Sequence, residues 1–168
     1  MCVSHPEFIR FIENPYIRVQ TLFLNPMTPE AAFSLANALV LPQWILMAVA
    51  PRWSVTQWLT RTLIIPMVLA VMYIFYLFSG NSTLDFSSFG TLQGVMSLLG
   101  SGEKGPALAG WIHYLAFDLV AGSWVLRDGF ERGIRHWLLI PCLFGCFMLG
   151  PTGLLLYGVI RAIGFIRK

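Results

Sequence analysis

Trp111-Ile-His-Tyr-Leu-Ala-Phe-Asp-Leu-Val-Ala-Gly-Ser-Trp124 runs on into Val125-Leu-Arg-Asp128 and constrains the architecture of the whole chain. It is apolar enough to enter a bilayer, yet it carries His113, Tyr114 and Asp118 in its interior. An ionised Asp near the bilayer centre costs roughly 2.5–3.5 kcal/mol on the insertion scale. A helix holding one therefore needs burial against other helices, a hydrogen-bond partner, or a neutral carboxyl. At about 100° per residue, Trp111, Tyr114, Asp118 and Val125 fall near one stripe, whereas His113 lies roughly 140° from Asp118. His113 and Asp118 are thus not an intrahelical pair. Tyr114 stands one turn before Asp118, within i,i+4 reach of it.

The rest of the chain agrees with a membrane setting. Of 168 residues, 57% are apolar and 11% charged, with mean hydropathy +0.70; soluble domains carry about 25% charge. The length suits one membrane domain of a few helices, residues 27–168, with no separate soluble domain. The net charge of +3 is small and its basic residues form no run, which excludes nucleic-acid binding. Cys2, Cys142 and Cys146 have no ligand partners at metal-binding spacing. Cys142 and Cys146 read as small packing residues, and no metal site is expected.

Working outward from the central stretch, four apolar spans emerge, at about 31–50, 58–78, 107–126 and 137–160. The first follows Met27-Thr-Pro-Glu30, where Thr28 can cap a helix with Pro29 and Glu30 in its first turn. It is charge-free and contains Asn37, Pro42 and Gln43. Residues 1–26 are neither a signal peptide nor a transit peptide by pattern and read as an N-terminal extension, interfacial or not native. The second span holds Arg61 one turn in, Pro66 near its middle, and Tyr73 and Tyr76 toward its far end. Residues 79–106 form a long connection. Within it Phe86, Phe89, Leu92, Val95, Met96 and Leu99 recur at near-helical spacing, which predicts a short interfacial helix. The fourth span is charge-free, and Gly150-Pro-Thr-Gly153 in its middle predicts a bend or a close backbone approach. The expected fold is therefore all-α and integral to the membrane, with four transmembrane helices. Four spans put both termini on one face, giving six basic residues there and on the long connection against five opposite, which leaves the orientation open.

Chemistry centres on the same stretch. A carboxyl and an imidazole in an apolar cavity can divide acid and base roles, so Asp118 and His113 are the leading candidates. The bland alternative is that both lock helices together. Asn37, Gln43 and the second-span tyrosines are the polar groups available to His113, and Arg61 stands at a depth to pair with Asp128. No H-E-x-x-H, G-x-S-x-G, phosphate-loop or dinucleotide fingerprint is present, and the histidines do not form the boxes of membrane di-iron enzymes.

Three segments carry a family resemblance. They are Phe33-Ser-Leu-Ala-Asn37 with Pro42-Gln-Trp44 and Pro51-Arg-Trp53; Gly110-Trp-Ile-His-Tyr-Leu-Ala-Phe-Asp-Leu119 with Gly122, Trp124 and Asp128; and Ile140-Pro-Cys-Leu with Phe147-Met-Leu-Gly-Pro-Thr-Gly-Leu-Leu-Leu-Tyr157 and Arg161. In this order they resemble the neoxanthin-synthase-like (abscisic-acid-deficient-4-like) membrane proteins, over about residues 27–161. Plant members are implicated in converting violaxanthin to neoxanthin in plastid membranes. The resemblance implies a carotenoid or xanthophyll ligand and an isomerisation in which a ring epoxide opens to an alcohol while a proton leaves the adjacent polyene carbon. That reaction requires no cofactor. The resemblance further implies Asp118 and His113 as acid and base, Tyr114 and Arg127 assisting, and Trp111, Trp124, Asn37, Gln43 and Tyr73 as substrate-binding. Membrane lipid is a partner throughout, and a membrane complex or homo-oligomer is the further partner considered. The lack of a transit pattern favours a bacterial inner or cyanobacterial membrane over a plastid. Two other functions are weighed: a non-catalytic assembly or pigment-binding subunit, and a small proton-linked transporter, which the lack of an inverted repeat counts against.

Overall fold

Thr28 starts the first helix, α1 (Pro29–Val49): its Oγ1 accepts from Ala31 N at 3.3 Å, and Pro29 occupies a position whose N–H has no helical partner anyway. A computed structural model supplies this geometry and describes residues 27–78, 87, 90–100 and 104–166. The expected extension over 1–26, and Phe86 and Phe89 of the connection, lie outside the described residues. α1 remains one helix through Pro42 and buries Ala32, Ala36, Val40, Gln43, Trp44 and Met47, a stripe at three-to-four spacing.

The second expected span is two helices, α2 (Ser54–Thr62) and α3 (Ile64–Phe78), bent by 41°. The break falls at Leu63, which takes the left-handed conformation with φ 53°. Pro66 explains its place: lacking an N–H, it cannot donate to Thr62, and it sits comfortably in a first helical turn. The interfacial helix expected from Phe86 is α4 (Leu92–Gly100); Thr91 Oγ1 accepts from Gly94 N at 3.1 Å and fixes its start.

α5 (Lys104–Glu131) contains the central stretch and extends beyond the expected 107–126 at both ends. Its 28 residues span about 42 Å at 1.5 Å per residue. Gly133 ends it with φ 70°, while Ile134 N donates to Gly129 O at 2.8 Å and Gly133 N to Phe130 O at 3.0 Å, a Schellman cap. α5 is the hub of the fold and packs against all the other helices. Leu108, Ile112, Leu115, Leu119, Val125 and Leu126 are its buried apolar contribution.

The fourth expected span, 137–160, is not a single crossing helix. It consists of α6 (His136–Leu149) and α7 (Pro151–Ile166), joined at Gly150 with φ 48°. Three separate contacts show that the chain reverses there. A Cβ on Gly153 would lie 2.1 Å from Cys146 N and 2.3 Å from Cys142 O, whereas residues 142 and 153 of a continuous helix would be about 16 Å apart. Thr152 Oγ1 reaches Gly145 O at 3.5 Å. Tyr157 Oη donates to Asp128, and Arg161 Nε stands 3.6 Å from the same carboxylate, near the end of α5 that also faces the start of α6. α6 therefore climbs along α5 to the depth of Asp118, and α7 descends again. At 14 and 16 residues, the arms are about 21 and 24 Å long. The Gly150-Pro-Thr-Gly153 motif, which predicts a bend or a close backbone approach, gives the close approach: a positive-φ glycine followed by a proline, with Gly145 against Gly153 at the crossing, makes a hairpin.

Among the described residues there are seven helices and no strand. Within those residues Pro29–Val49 alone is a single helix long and apolar enough to cross a membrane, α2–α3 qualifies only as one bent span, and α6 and α7 are apolar but short. The expectation of four full transmembrane helices gives way to this arrangement.

Candidate functional site

The hairpin tip meets α5 at Asp118. This residue is 8% exposed, its Oδ2 is buried without a hydrogen-bond partner, and a Cβ on Gly150 would stand 2.5 Å from its Oδ1. The glycine thus serves two needs at once: its positive φ and the close approach of the carboxyl. Gly150 immediately precedes α7, so the carboxyl lies at the positive end of that helix. Beside it is a cavity of about 500 Å³ lined by Phe117, Val120, Ala121, Trp124, Pro151 and Leu154 together with Gly150 and Asp118. Asp118 is the one ionisable side chain in that lining.

On the other side of the tip a second cavity, of about 480 Å³, lies between α1, α5 and the end of α6. Asn37, Trp111, Tyr114, Phe147 and Met148 are among its walls. The Tyr114 hydroxyl donates to Met148 O at 3.0 Å, tying α5 to the tip, and it also stands close enough to interact with the Asp118 carboxyl one turn away. Asn37 Nδ2 bonds back to Phe33 O at 2.7 Å, within its own helix.

The other predicted residues lie elsewhere. His113 is exposed and stacks between Tyr73, at 5.4 Å between ring centroids, and Phe117, at 4.6 Å. It lines neither cavity, and the structure does not bring it to Asp118. Arg127 also lines neither; its Nε is buried without a partner. Gln43 is wholly buried and donates from Nε2 to Ser123 Oγ at 3.0 Å, linking α1 to α5. His136 Nε2 lies 2.9 Å from Ala48 O and satisfies a carbonyl at the end of α1.

The structure also assembles a cluster that sequence reasoning missed. Asp128 Oδ2 accepts from Arg132 Nε at 2.7 Å and from Tyr157, with Arg161 beyond. The proposed Arg61–Asp128 pair is replaced by these partners. Burial pushes the Asp128 carboxyl up, but hydrogen bonds from Arg132 and Tyr157 and the charges of Arg132 and Arg161 outweigh it, holding it below the ordinary value. Arg161 stands 5.6 Å over the Trp124 ring, and Tyr157 meets that ring edge-on at 5.3 Å. The cluster therefore holds the indole that walls the Asp118 cavity. The signal was present in the spacing of Tyr157 and Arg161, one turn apart, but a single fourth span would carry both to the far end of α5. Among the described residues, no three of His, Cys, Asp and Glu converge as metal ligands.

Comparison with known proteins places this geometry in a family. The chain is 33% identical over 143 residues to the protein ABA DEFICIENT 4, chloroplastic, of Arabidopsis thaliana, covering 80% of this chain and 62% of that protein. No solved structure matches. The preference for a bacterial or cyanobacterial membrane over a plastid does not survive, because this relative is a chloroplastic plant protein. The ABA DEFICIENT 4-like family model matches residues 31–157, from the first turns of α1 to the Tyr157 of the cluster, and the chain belongs to that family.

Proposed function

We propose that the protein is embedded in a membrane, binds a carotenoid-type polyene, and isomerises an epoxide on its end ring with Asp118 as the acid–base group. The observation that carries this reading is a buried carboxyl with an unpartnered oxygen in the wall of an otherwise apolar cavity of about 500 Å³. Membrane placement is supported by the outer surface, where Val49 on α1, Val71 on α3 and Phe144 on α6 are 78%, 69% and 64% exposed. In this reading α1, the bent α2–α3 pair and α5 cross the bilayer, and the hairpin enters it part-way.

One carboxyl suffices for the chemistry. Starting as the neutral acid, Asp118 gives its proton to the epoxide oxygen as the ring C–O bond breaks, leaving an alcohol. The resulting carboxylate takes the proton from the adjacent polyene carbon, and the C–H electron pair becomes the new double bond of the allene. The proton count closes and nothing is oxidised or reduced. Phe117 and Trp124 wall the ring, while Trp111 and Asn37 belong to the second cavity, available to the polyene chain. His113 and Arg127 take no part in this scheme, Gln43 joins helices, and Tyr73 packs on His113.

A second reading has its own observation: Gly150 presses on Asp118, so the carboxyl also suits a brace for the hairpin tip in an assembly or pigment-binding protein. Asp118→Asn in a carotenoid-producing host separates the two. The catalytic reading expects loss of the allenic product with normal protein accumulation and an unchanged unfolding midpoint. An unaltered pigment profile would refute it, and failure of the variant to accumulate would favour the brace.

A further inference from the structure

Reversal of the chain at Gly150 moves the end of α7 to the opposite side of the molecule from where a fourth crossing would take it. Arg161 is the marker, because it shares Asp128 with Arg132 at the end of α5. Among the described residues, Arg52, Arg61, Arg127, Arg132, Arg135 and Arg161 then belong to one end of the bundle. The juxtaposition is visible in contacts: Arg52 stands 6.0 Å over the Phe130 ring, and His136, next to Arg135, bonds the end of α1. The acids at this end are Asp128 and Glu131. At the other end Lys104 is the basic residue among those described, and Glu30 pairs with it at 2.5 Å. Among the described residues, the five basic side chains against two of a four-span chain become six against one.

We propose that the α6–α7 hairpin re-enters the bilayer from this arginine-rich face, that the face rests on anionic lipid headgroups on the cytoplasmic or equivalent side, and that the Asp118 cavity opens to the adjoining leaflet. The proposal rests on the membrane reading above. Positively charged residues flanking spans stay on the side of synthesis, and arginines near an anionic surface are attracted to it. Backbone that reverses at membrane depth is tolerated where protein covers it, and here Gly150 is buried against Asp118 while Tyr114 satisfies Met148 O. The cavity extends from Asp118 toward Trp124, which lies about 9 Å nearer the arginine end of α5. A ring bound there is drawn from that leaflet.

The test is cysteine labelling with a membrane-impermeant maleimide in right-side-out vesicles of a bacterial host, in a Cys2→Ser background that keeps the buried Cys142 and Cys146. Three exposed positions serve: Thr91→Cys before α4, Glu131→Cys at the end of α5, and Ala162→Cys near the end of α7. The expected result is labelling of Thr91→Cys in intact vesicles and of the other two only after permeabilisation. Ala162→Cys reacting on the same side as Thr91→Cys would overturn the hairpin in favour of a fourth crossing. Labelling of Glu131→Cys and Ala162→Cys together from outside would overturn the orientation. Release of the protein by an alkaline wash would instead refute the membrane reading itself. For the lipid contact, phosphatidylglycerol added to phosphatidylcholine vesicles should raise the unfolding midpoint. The triple variant Arg52→Gln/Arg61→Gln/Arg135→Gln should lose that rise; an equal rise in the variant would overturn the headgroup assignment.

Discussion

Alanine at two glycines of one helix decides whether the hairpin exists. At Gly153 a methyl group would sit 2.1 Å from Cys146 N and 2.3 Å from Cys142 O, more than 1 Å inside ordinary contact and against backbone that has no rotamer to escape through. The two arms must part. Overpacking of this kind costs about 1–3 kcal/mol, and two backbone clashes place it at the upper end. Helical Gly→Ala returns roughly 0.5–1 kcal/mol through lower backbone entropy, so Gly153→Ala should destabilise by about 2 kcal/mol. Gly158, five residues further along α7, has nothing within 4 Å of its hypothetical Cβ, and only the gain applies. The gain is common to both, so the two variants should differ by the overpacking cost alone, about 3 kcal/mol, and at about 2–4 °C per kcal/mol for a chain of this size their unfolding midpoints should separate by roughly 6 °C or more. Thermal unfolding followed by circular dichroism in one detergent is the assay. A straight fourth span carries Gly153 about 16 Å from residue 142 and removes this clash, so Gly153→Ala unfolding at or above Gly158→Ala would refute the reversal of the chain.

Other consequences are smaller. Tyr114→Phe leaves Met148 O without its donor at the tip and should cost about 1 kcal/mol, measured by the same unfolding assay. Asp128 carries a depressed pKa in the folded protein, so its stabilisation is present above the unfolded carboxylate value and is lost as pH falls through the folded one; Asp128→Asn should flatten that acid limb in an unfolding-versus-pH series. Ser123→Ala strips the partner from a buried Gln43 whose Oε1 is already unsatisfied and should cost about 1–3 kcal/mol. Adding Gln43→Met should recover most of that loss, because no orphaned amide then remains, and a double variant as unstable as the single would show that the amide was not the source.

What was legible in the sequence and what was not divide along a physical line. Local determinants were readable: Thr28 and Pro29 begin α1 because capping depends on adjacent residues, and the three-to-four spacing of Ala32, Ala36, Val40 and Met47 gives its buried face. The angular separation of His113 and Asp118 follows from helix geometry alone, and the two do occupy different surroundings. The fold's decisive event was not local. Gly150-Pro151 is compatible with a kink, a broken span or a reversal, and hydropathy is the same for all three. The choice is made by what the two halves meet afterwards: Gly145 against Gly153, and Tyr157 with Arg161 against Asp128. Those partners are distant in sequence, and each is unremarkable alone. Once they are joined, Asp118 stands at a hairpin tip, apart from the His113 imidazole on another face of its own helix. Arg161, which a fourth crossing would set apart, then joins the other described arginines at the end from which that hairpin rises, so on the proposal above the same reversal that builds the Asp118 cavity also sets the side from which it is reached.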